Sequence, residues 1–162
     1  MILADEAATT DVGARLARAL PDLSNQSLLL GLCGELGSGK TTLARGLLRA
    51  LGVTGTIRSP TFTLIEPYST AHGNVHHLDL YRLETGGAAL AGLGYRDLRG
   101  LPGLLMVEWP ERGGVALGVQ DLSAELAHRD RGRQLKLEPA TESGRAWLDA
   151  SRAQLEEYGV SR

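Results

Sequence analysis

The segment Gly34-Glu35-Leu36-Gly37-Ser38-Gly39-Lys40-Thr41 constrains the fold more than any other part of the chain. It satisfies the pattern G-x-x-x-x-G-K-[ST] in full. Before it runs Leu28-Leu29-Leu30-Gly31-Leu32-Cys33, apolar on both faces as a central parallel strand should be, although periodicity alone does not separate such a run from a buried helix. After it, Thr41 to Leu51 carries Leu43, Leu47, Leu48 and Leu51 on one helical stripe, and Gly52 supplies a C-terminal stop. Strand, glycine loop and helix in that order are the context the pattern requires. From this chain's own residue frequencies, the pattern would arise by accident somewhere in roughly four of a thousand such sequences. The bland alternative is a glycine-rich turn ahead of a helix.

The chemistry of such a loop is phosphate binding. Glycines let the backbone curl until successive N–H groups point inward, and the helix that begins at Lys40 adds the positive end of its dipole. Gly37, Ser38, Gly39, Lys40, Thr41 and Thr42 are therefore candidate nucleotide contacts. Lys40 brings a mobile charge to the β- and γ-phosphates, and the Thr41 hydroxyl suits a Mg²⁺ ligand. ATP and Mg²⁺ are the expected ligands.

The remainder of the chain reads as a single α/β unit over residues 1–162. Ala8 to Leu20 has helical periodicity in Val12, Leu16, Ala19 and Leu20, with Thr9, Thr10 or Asp11 available as a cap and Pro21 beyond the end. Phe62 to Pro67, Asn74 to Tyr81, Leu104 to Val107 and Gln134 to Leu137 read as strands, and Gly144 to Tyr158 as a terminal helix. Gly86 to Gly94 is ambiguous. Alternating strands and helices predict a P-loop NTPase fold, a mostly parallel central sheet flanked by helices.

Composition narrows the partners. A net charge of -2 and a pI near 6.1 give the molecule no electrostatic reason to coat nucleic acid or anionic lipid. No apolar run reaches the roughly 18 residues that span a bilayer, and Met1 to Thr10 lacks the basic start and apolar stretch of a secretory signal, so the cytoplasm is the expected location. Among 17 basic residues only Lys40 and Lys136 are lysine. Cys33, the one cysteine, sits among apolar neighbours and reads as a small buried hydrophobe rather than a reactive thiol.

A phosphate loop needs acids to handle magnesium and water. Glu108 follows the apolar strand Leu104 to Val107, where a sheet's C-terminal edge delivers a carboxylate toward the loop; Asp79 lies in or beside a second strand. Both are candidate catalytic residues together with Lys40, and Thr41 and Glu108 are candidate metal ligands. Ser59-Pro60-Thr61 occupies the place of a switch-like loop that senses a γ-phosphate, with an ordinary proline turn as the alternative. His76 and His77 are adjacent, point to opposite faces of a strand and cannot grip one metal together, so they read as structural. Arg129, Arg131 and Arg133 form a small basic cluster that suits a solvated loop, although one arginine could reach a phosphate. Trp109 is either a core aromatic or a neighbour of the nucleotide.

Four segments exceed the generic motif: GELGSGKTTLARGLL (Gly34 to Leu48), SPTFTLIEPY (Ser59 to Tyr68), HLDLYRL (His77 to Leu83) and VEWPERG (Val107 to Gly113). In this order and spacing, over about Ala8 to Arg133, the chain resembles the TsaE family, bacterial ATPases of tRNA threonylcarbamoyladenosine biosynthesis. The resemblance implies an ATPase, weak alone, that binds a TsaB–TsaD heterodimer and sustains its turnover while touching tRNA only indirectly. It implies that Lys40 holds phosphates, Thr41 and Glu108 ligate Mg²⁺, Asp79 assists hydrolysis, Thr61 belongs to a switch, and Thr9 and Arg133 contact the nucleotide. The chain departs from the family at Gly86 to Gly92, where an acidic residue is usual, and at Leu117 to Asp121, where a Leu-Pro turn is usual.

Two other readings share the loop. A GTPase needs a second lysine in an N-K-x-D element, and Lys136 stands in Leu-Lys-Leu-Glu instead. A small-molecule kinase needs an arginine-bearing lid, which Gly86 to Arg99 serves only weakly. A nucleotide-sensing scaffold that binds ATP without significant hydrolysis is the alternative of a different class.

Overall fold

A computed structural model describes residues 1–84 and 87–159. In chain order the elements are β1 (Ile2–Leu3), α1 (Glu6–Arg18), β2 (Ser27–Cys33), α2 (Lys40–Ala50), β3 (Ile65–Thr70), β4 (Gly73–Asp79), α3 (Gly87–Gly92), α4 (Tyr95–Gly100), β5 (Gly103–Glu108), a 3₁₀ segment (Pro110–Leu117), β6 (Leu122–His128), β7 (Arg133–Pro139) and α5 (Glu142–Leu155). The seven strands form one sheet in the order β1-β7-β6-β2-β5-β4-β3. Its four central strands, β6, β2, β5 and β4, run parallel. The flanking strands β1, β7 and β3 run antiparallel to their neighbours. The predicted α/β class and parallel centre are thus observed, with antiparallel additions at both edges.

Side-chain alternation divides the core. Leu28, Leu30 and Leu32 of β2, Val75 of β4, and Leu104 and Met106 of β5 pack on the face covered by α1 and α2. Leu29, Leu78, Leu105 and Val107 pack on the other face, with Leu80, Leu90, Tyr95 and Leu117. Parity then carries Asp79 and Glu108 to the α2 face at the strands' C-terminal ends, where the two residues pair directly across β4 and β5.

Several boundaries differ from the sequence expectation, each for a local reason. Helix α1 starts at Glu6, not Ala8, because the extended Asp5 is the cap and its carboxylate accepts from the Ala8 N–H at 2.8 Å. Thr9 and Thr10 instead donate back to Asp5 O and Glu6 O within the helix, at 3.0 and 2.9 Å. Strand β3 begins at Ile65 rather than Phe62, since Leu64 takes a left-handed φ of 65°. Strand β4 ends at Asp79 rather than Tyr81, because the Asp79 carboxylate accepts from the Tyr81 N–H at 2.9 Å and turns the chain. Helix α5 starts at Glu142 rather than Gly144, capped by the Thr141 hydroxyl. The ambiguous glycine-rich stretch gives the short helix α3; Gly86 and residues 160–162 lie outside the described residues. Strands β1 and β6 and helix α4 were not expected.

Helices α1 and α2 approach through glycine. A Cβ on Gly13 would stand 2.2 Å from Leu43 O, and one on Gly46 would stand 2.1 Å from Thr10 O. Gly46→Ala must therefore push the helices apart, and urea unfolding should show a loss of about 1–3 kcal/mol, as overpacking gives. Gly100→Ala, with open space around it, is the control that should be neutral or mildly stabilising.

Candidate functional site

The loop between β2 and α2 curls through three glycines with left-handed φ, Gly34 at 133°, Gly37 at 76° and Gly39 at 110°. At Gly34 a Cβ would also lie 2.1 Å from Leu126 O, so only glycine fits. Helix α2 opens at Gly39 with no side-chain cap, which leaves its first N–H groups to the cradle of the loop. The buried Ser38 hydroxyl has no hydrogen-bond partner among the described residues. Free backbone donors and an orphaned hydroxyl inside a glycine cradle suit an anion of phosphate size.

Lys40 reaches back along the loop, donating to Gly34 O at 2.7 Å and Glu35 O at 2.9 Å. Its ammonium stands 4.0 Å from the centroid of the Trp109 ring. Burial pushes the Lys40 amine below its ordinary value, while the Glu108, Asp79 and Glu111 carboxylates pull the other way.

Thr41 and Glu108 meet directly: the Thr41 hydroxyl lies 2.8 Å from Glu108 Oε1 and 3.1 Å from Oε2. Asp79 is held by three donors. The hydroxyls of Ser59 and Thr61 both donate to its Oδ2, Thr61 at 2.7 Å, and the Tyr81 N–H takes Oδ1. The switch-like segment is therefore tied to the acid on β4. A cleft of about 490 Å³ is lined by Lys40, Thr41, Thr42, Asp79, Glu108 and Arg133, among others, with Ser59 and Thr61 at its wall.

Arg133, at the start of β7, lines this cleft and donates to the Thr9 hydroxyl at 3.1 Å. Thr9 itself is buried, and its hydroxyl meets the cleft through Arg133. Arg129 and Arg131 do not line the cleft. His77, which the sequence reads as structural, and Trp109, which it leaves between a core aromatic and a neighbour of the nucleotide, both stand at the site. His77 is fully buried with its Nε2 at 2.9 Å from Glu108 Oε1, and the signal was its i, i+2 spacing to Asp79 on one strand. Trp109 follows Glu108 with a left-handed φ of 58°.

Among the described residues no cluster of three or more His, Cys, Asp or Glu side chains could hold a metal by itself. One carboxylate and one hydroxyl, Glu108 and Thr41, nevertheless fit Mg²⁺, which typically takes one or two protein oxygens and completes its shell with phosphate and water. Among the described residues no helix is long and apolar enough to cross a membrane.

The parallel strand centre, the glycine cradle at the β2–α2 junction and the two acids on neighbouring strand ends define a P-loop NTPase fold. The crystal structure of YdiB from Bacillus subtilis shares it, with a TM-score of 0.74 and 24% identity over 93% of this chain and 90% of that one. Residues 3–135 match the family described as "Threonylcarbamoyl adenosine biosynthesis protein TsaE", and the chain belongs to that family, which acts in tRNA threonylcarbamoyladenosine biosynthesis. The tRNA threonylcarbamoyladenosine biosynthesis protein TsaE of Haemophilus influenzae is 34% identical over 90% of this chain and 92% of its own length. That of Streptomyces coelicolor is 35% identical over 83% and 93%. The Synechocystis protein of the same name is 44% identical over 68% and 69%.

Cys33, half-buried at the end of β2, is no reactive thiol: burial, with Glu111 and Glu125 nearby, pushes it up to about 11 from an ordinary 9.0. At pH 8 its alkylation by iodoacetamide should be about 100-fold slower than that of an unperturbed cysteine peptide. The folded chain also keeps the thiol proton that the unfolded chain loses above pH 9.0, so this thiol's contribution to stability falls as pH rises from 9.0 toward about 11.

Proposed function

We propose that this chain binds ATP with Mg²⁺ in the cleft and hydrolyses it. We further propose that hydrolysis sustains cycling of a TsaB–TsaD heterodimer in the cytoplasm, which places the threonylcarbamoyl group on the tRNA adenosine next to the anticodon. The observation that carries the reading is the Thr41–Glu108 hydrogen bond at the foot of the phosphate loop, with Asp79 on the adjacent strand. A phosphate-binding turn with no catalytic purpose has no need of two buried carboxylates at its mouth.

Each residue has a task. The backbone donors of Gly37 to Thr42 cradle phosphate oxygens, and Lys40 exchanges its carbonyl partners for the β- and γ-phosphates. Glu108 takes the Thr41 hydrogen, which leaves the lone pairs of that hydroxyl for a cation. Mg²⁺ bound there would neutralise charge that builds up on the phosphate oxygens. Asp79 accepts from Ser59 and Thr61, so its carboxylate is oriented to position a water, and a change in the 59–61 loop changes that orientation. Arg133 adds a second cation that Thr9 holds in place.

The surface supports an indirect relation to tRNA, since the net charge is -2. A GTPase finds no support: Lys136 is exposed and pairs with Glu138 at 2.9 Å on β7.

Turnover by the purified chain, measured while a TsaB–TsaD pair is titrated in, tests the reading. ATP hydrolysis should be low alone, rise with the pair and vanish when Mg²⁺ is chelated. Lys40→Ala should abolish ATP affinity; normal binding by that variant would refute the phosphate assignment. Glu108→Gln should bind ATP yet lose about 100-fold or more in turnover. ATP binding with no hydrolysis in the presence of the pair would instead establish a sensing scaffold.

A further inference from the structure

We infer that His77 is a positioning residue for this site: its Nε2–H fixes the Glu108 carboxylate so that Oε1 is committed to the protein and Oε2 is left for the bound ligand. The inference rests on the ATPase reading above.

The geometry begins with strand parity. Val75, His77 and Asp79 alternate onto the α2 face of β4, and the parallel register sets His77 opposite Met106 and Asp79 opposite Glu108. His77 therefore stands two residues below the acid on the neighbouring strand, and its imidazole reaches up to Glu108 Oε1 at 2.9 Å. The Thr41 hydroxyl approaches the same oxygen at 2.8 Å and the other oxygen only at 3.1 Å. Two donors from two elements, α2 and β4, thus converge on one carboxylate oxygen.

Chemistry assigns the hydrogen. A carboxylate only accepts, so the imidazole hydrogen in this bond sits on Nε2. Nδ1 is buried and has no partner among the described residues, which suits a bare lone pair better than an N–H. This arrangement is costly where the fold alone is concerned. The imidazole is fully buried, and an aliphatic side chain of similar size would leave no orphaned nitrogen. A polar residue kept at this position with only one of its two nitrogens satisfied is explained by what the satisfied nitrogen holds. Glu108 otherwise has one anchor on a side chain with three rotatable bonds, and a misplaced carboxylate degrades metal and phosphate alignment rather than ATP affinity. His76, on the opposite face, makes no such contact.

The test uses the full chain with the TsaB–TsaD pair, comparing the wild type with His77→Leu and His77→Gln. His77→Leu should lower kcat by about 10-fold with KM for ATP changed by less than about 2-fold, and should need more Mg²⁺ for half-maximal rate. His77→Gln, whose amide nitrogen can reach the Nε2 position, should recover most of that loss. An active His77→Leu, or a His77→Gln no better than His77→Leu, overturns the inference. A measurement on the wild type needs neither turnover nor a variant fold: long-range ¹H–¹⁵N spectra should show the His77 hydrogen on Nε2. A hydrogen on Nδ1 alone overturns the inference. Lack of ATP hydrolysis by the wild type would sink the ATPase reading and with it the role of His77, whereas a silent His77→Leu in an active wild type sinks only the role of His77.

Discussion

The cleft depends on the burial of β2 between two parallel neighbours. Leu28, Leu29, Leu30 and Leu32 are all excluded from water, Leu28, Leu30 and Leu32 facing the core under α1 and α2 and Leu29 facing the other. Each contributes about 1.5–3 kcal/mol relative to exposure, against about 0.5–1.5 kcal/mol for a typical hydrogen bond. Apolar burial therefore decides where the strand lies, and the polar residues occupy the positions that result. Because β5 and β4 run parallel to β2, their carboxyl ends emerge at the same edge, and Glu108 and Asp79 arrive beside the phosphate loop without any long side-chain reach.

At that edge the balance of charge is close. Glu6, Asp79 and Glu108 border the cleft together with Lys40, Arg82 and Arg133. The carboxylates are not free anions: Glu108 accepts from Thr41 and His77, and Asp79 from Ser59, Thr61 and the Tyr81 N–H. Hydrogen bonds of this kind offset the cost of burying a carboxylate, which is why two acids tolerate one small site. Lys40 is the less settled partner. Burial depresses its amine, and its present acceptors are backbone carbonyls, weaker partners than phosphate oxygens.

What the sequence made legible was local. The glycine loop announces itself because its spacing is set within eight residues, Glu108 because it ends an apolar strand, and Asp79 because it is an acid in or beside a second strand. Strand β6 escaped because its outward residues Glu125, Ala127 and His128 break the apolar run, and its parallel partner β2 is distant in the chain. The two-residue β1 carries no periodic signal at all. The cap of α1 was misplaced because Thr9, Thr10 and Asp5 are all capping residue types, and only tertiary packing selects among them. The departure at Leu117 to Asp121 also proved structural. Asp121 opens the approach to β6 as a buried clamp, its carboxylate accepting from the Leu29 N–H at 2.8 Å and from the Thr141 hydroxyl at 2.7 Å. His77 was hidden by adjacency, since reading it with His76 as a pair concealed its kinship with Asp79.

Arg133 shows how far such a site reaches through the fold. The close approach of α1 and α2 through Gly13 and Gly46 fixes α1 against the loop helix, and α1 carries Thr9. Thr9 donates to Asp5 O and accepts from Arg133, so the cap that starts α1 also sets the guanidinium at the cleft. Across the gap, a Cβ on Gly39 would come within 3.2 Å of Arg133 Nη1. The glycine that lets the loop turn is also the one that admits the arginine. A planar, permanently charged group fits this narrow slot and can present two donors to one phosphate, whereas a lysine would offer a point charge on a flexible stem. Strand β7, helix α1 and the phosphate loop are distant in the chain, yet their side chains and backbone meet at this one cation.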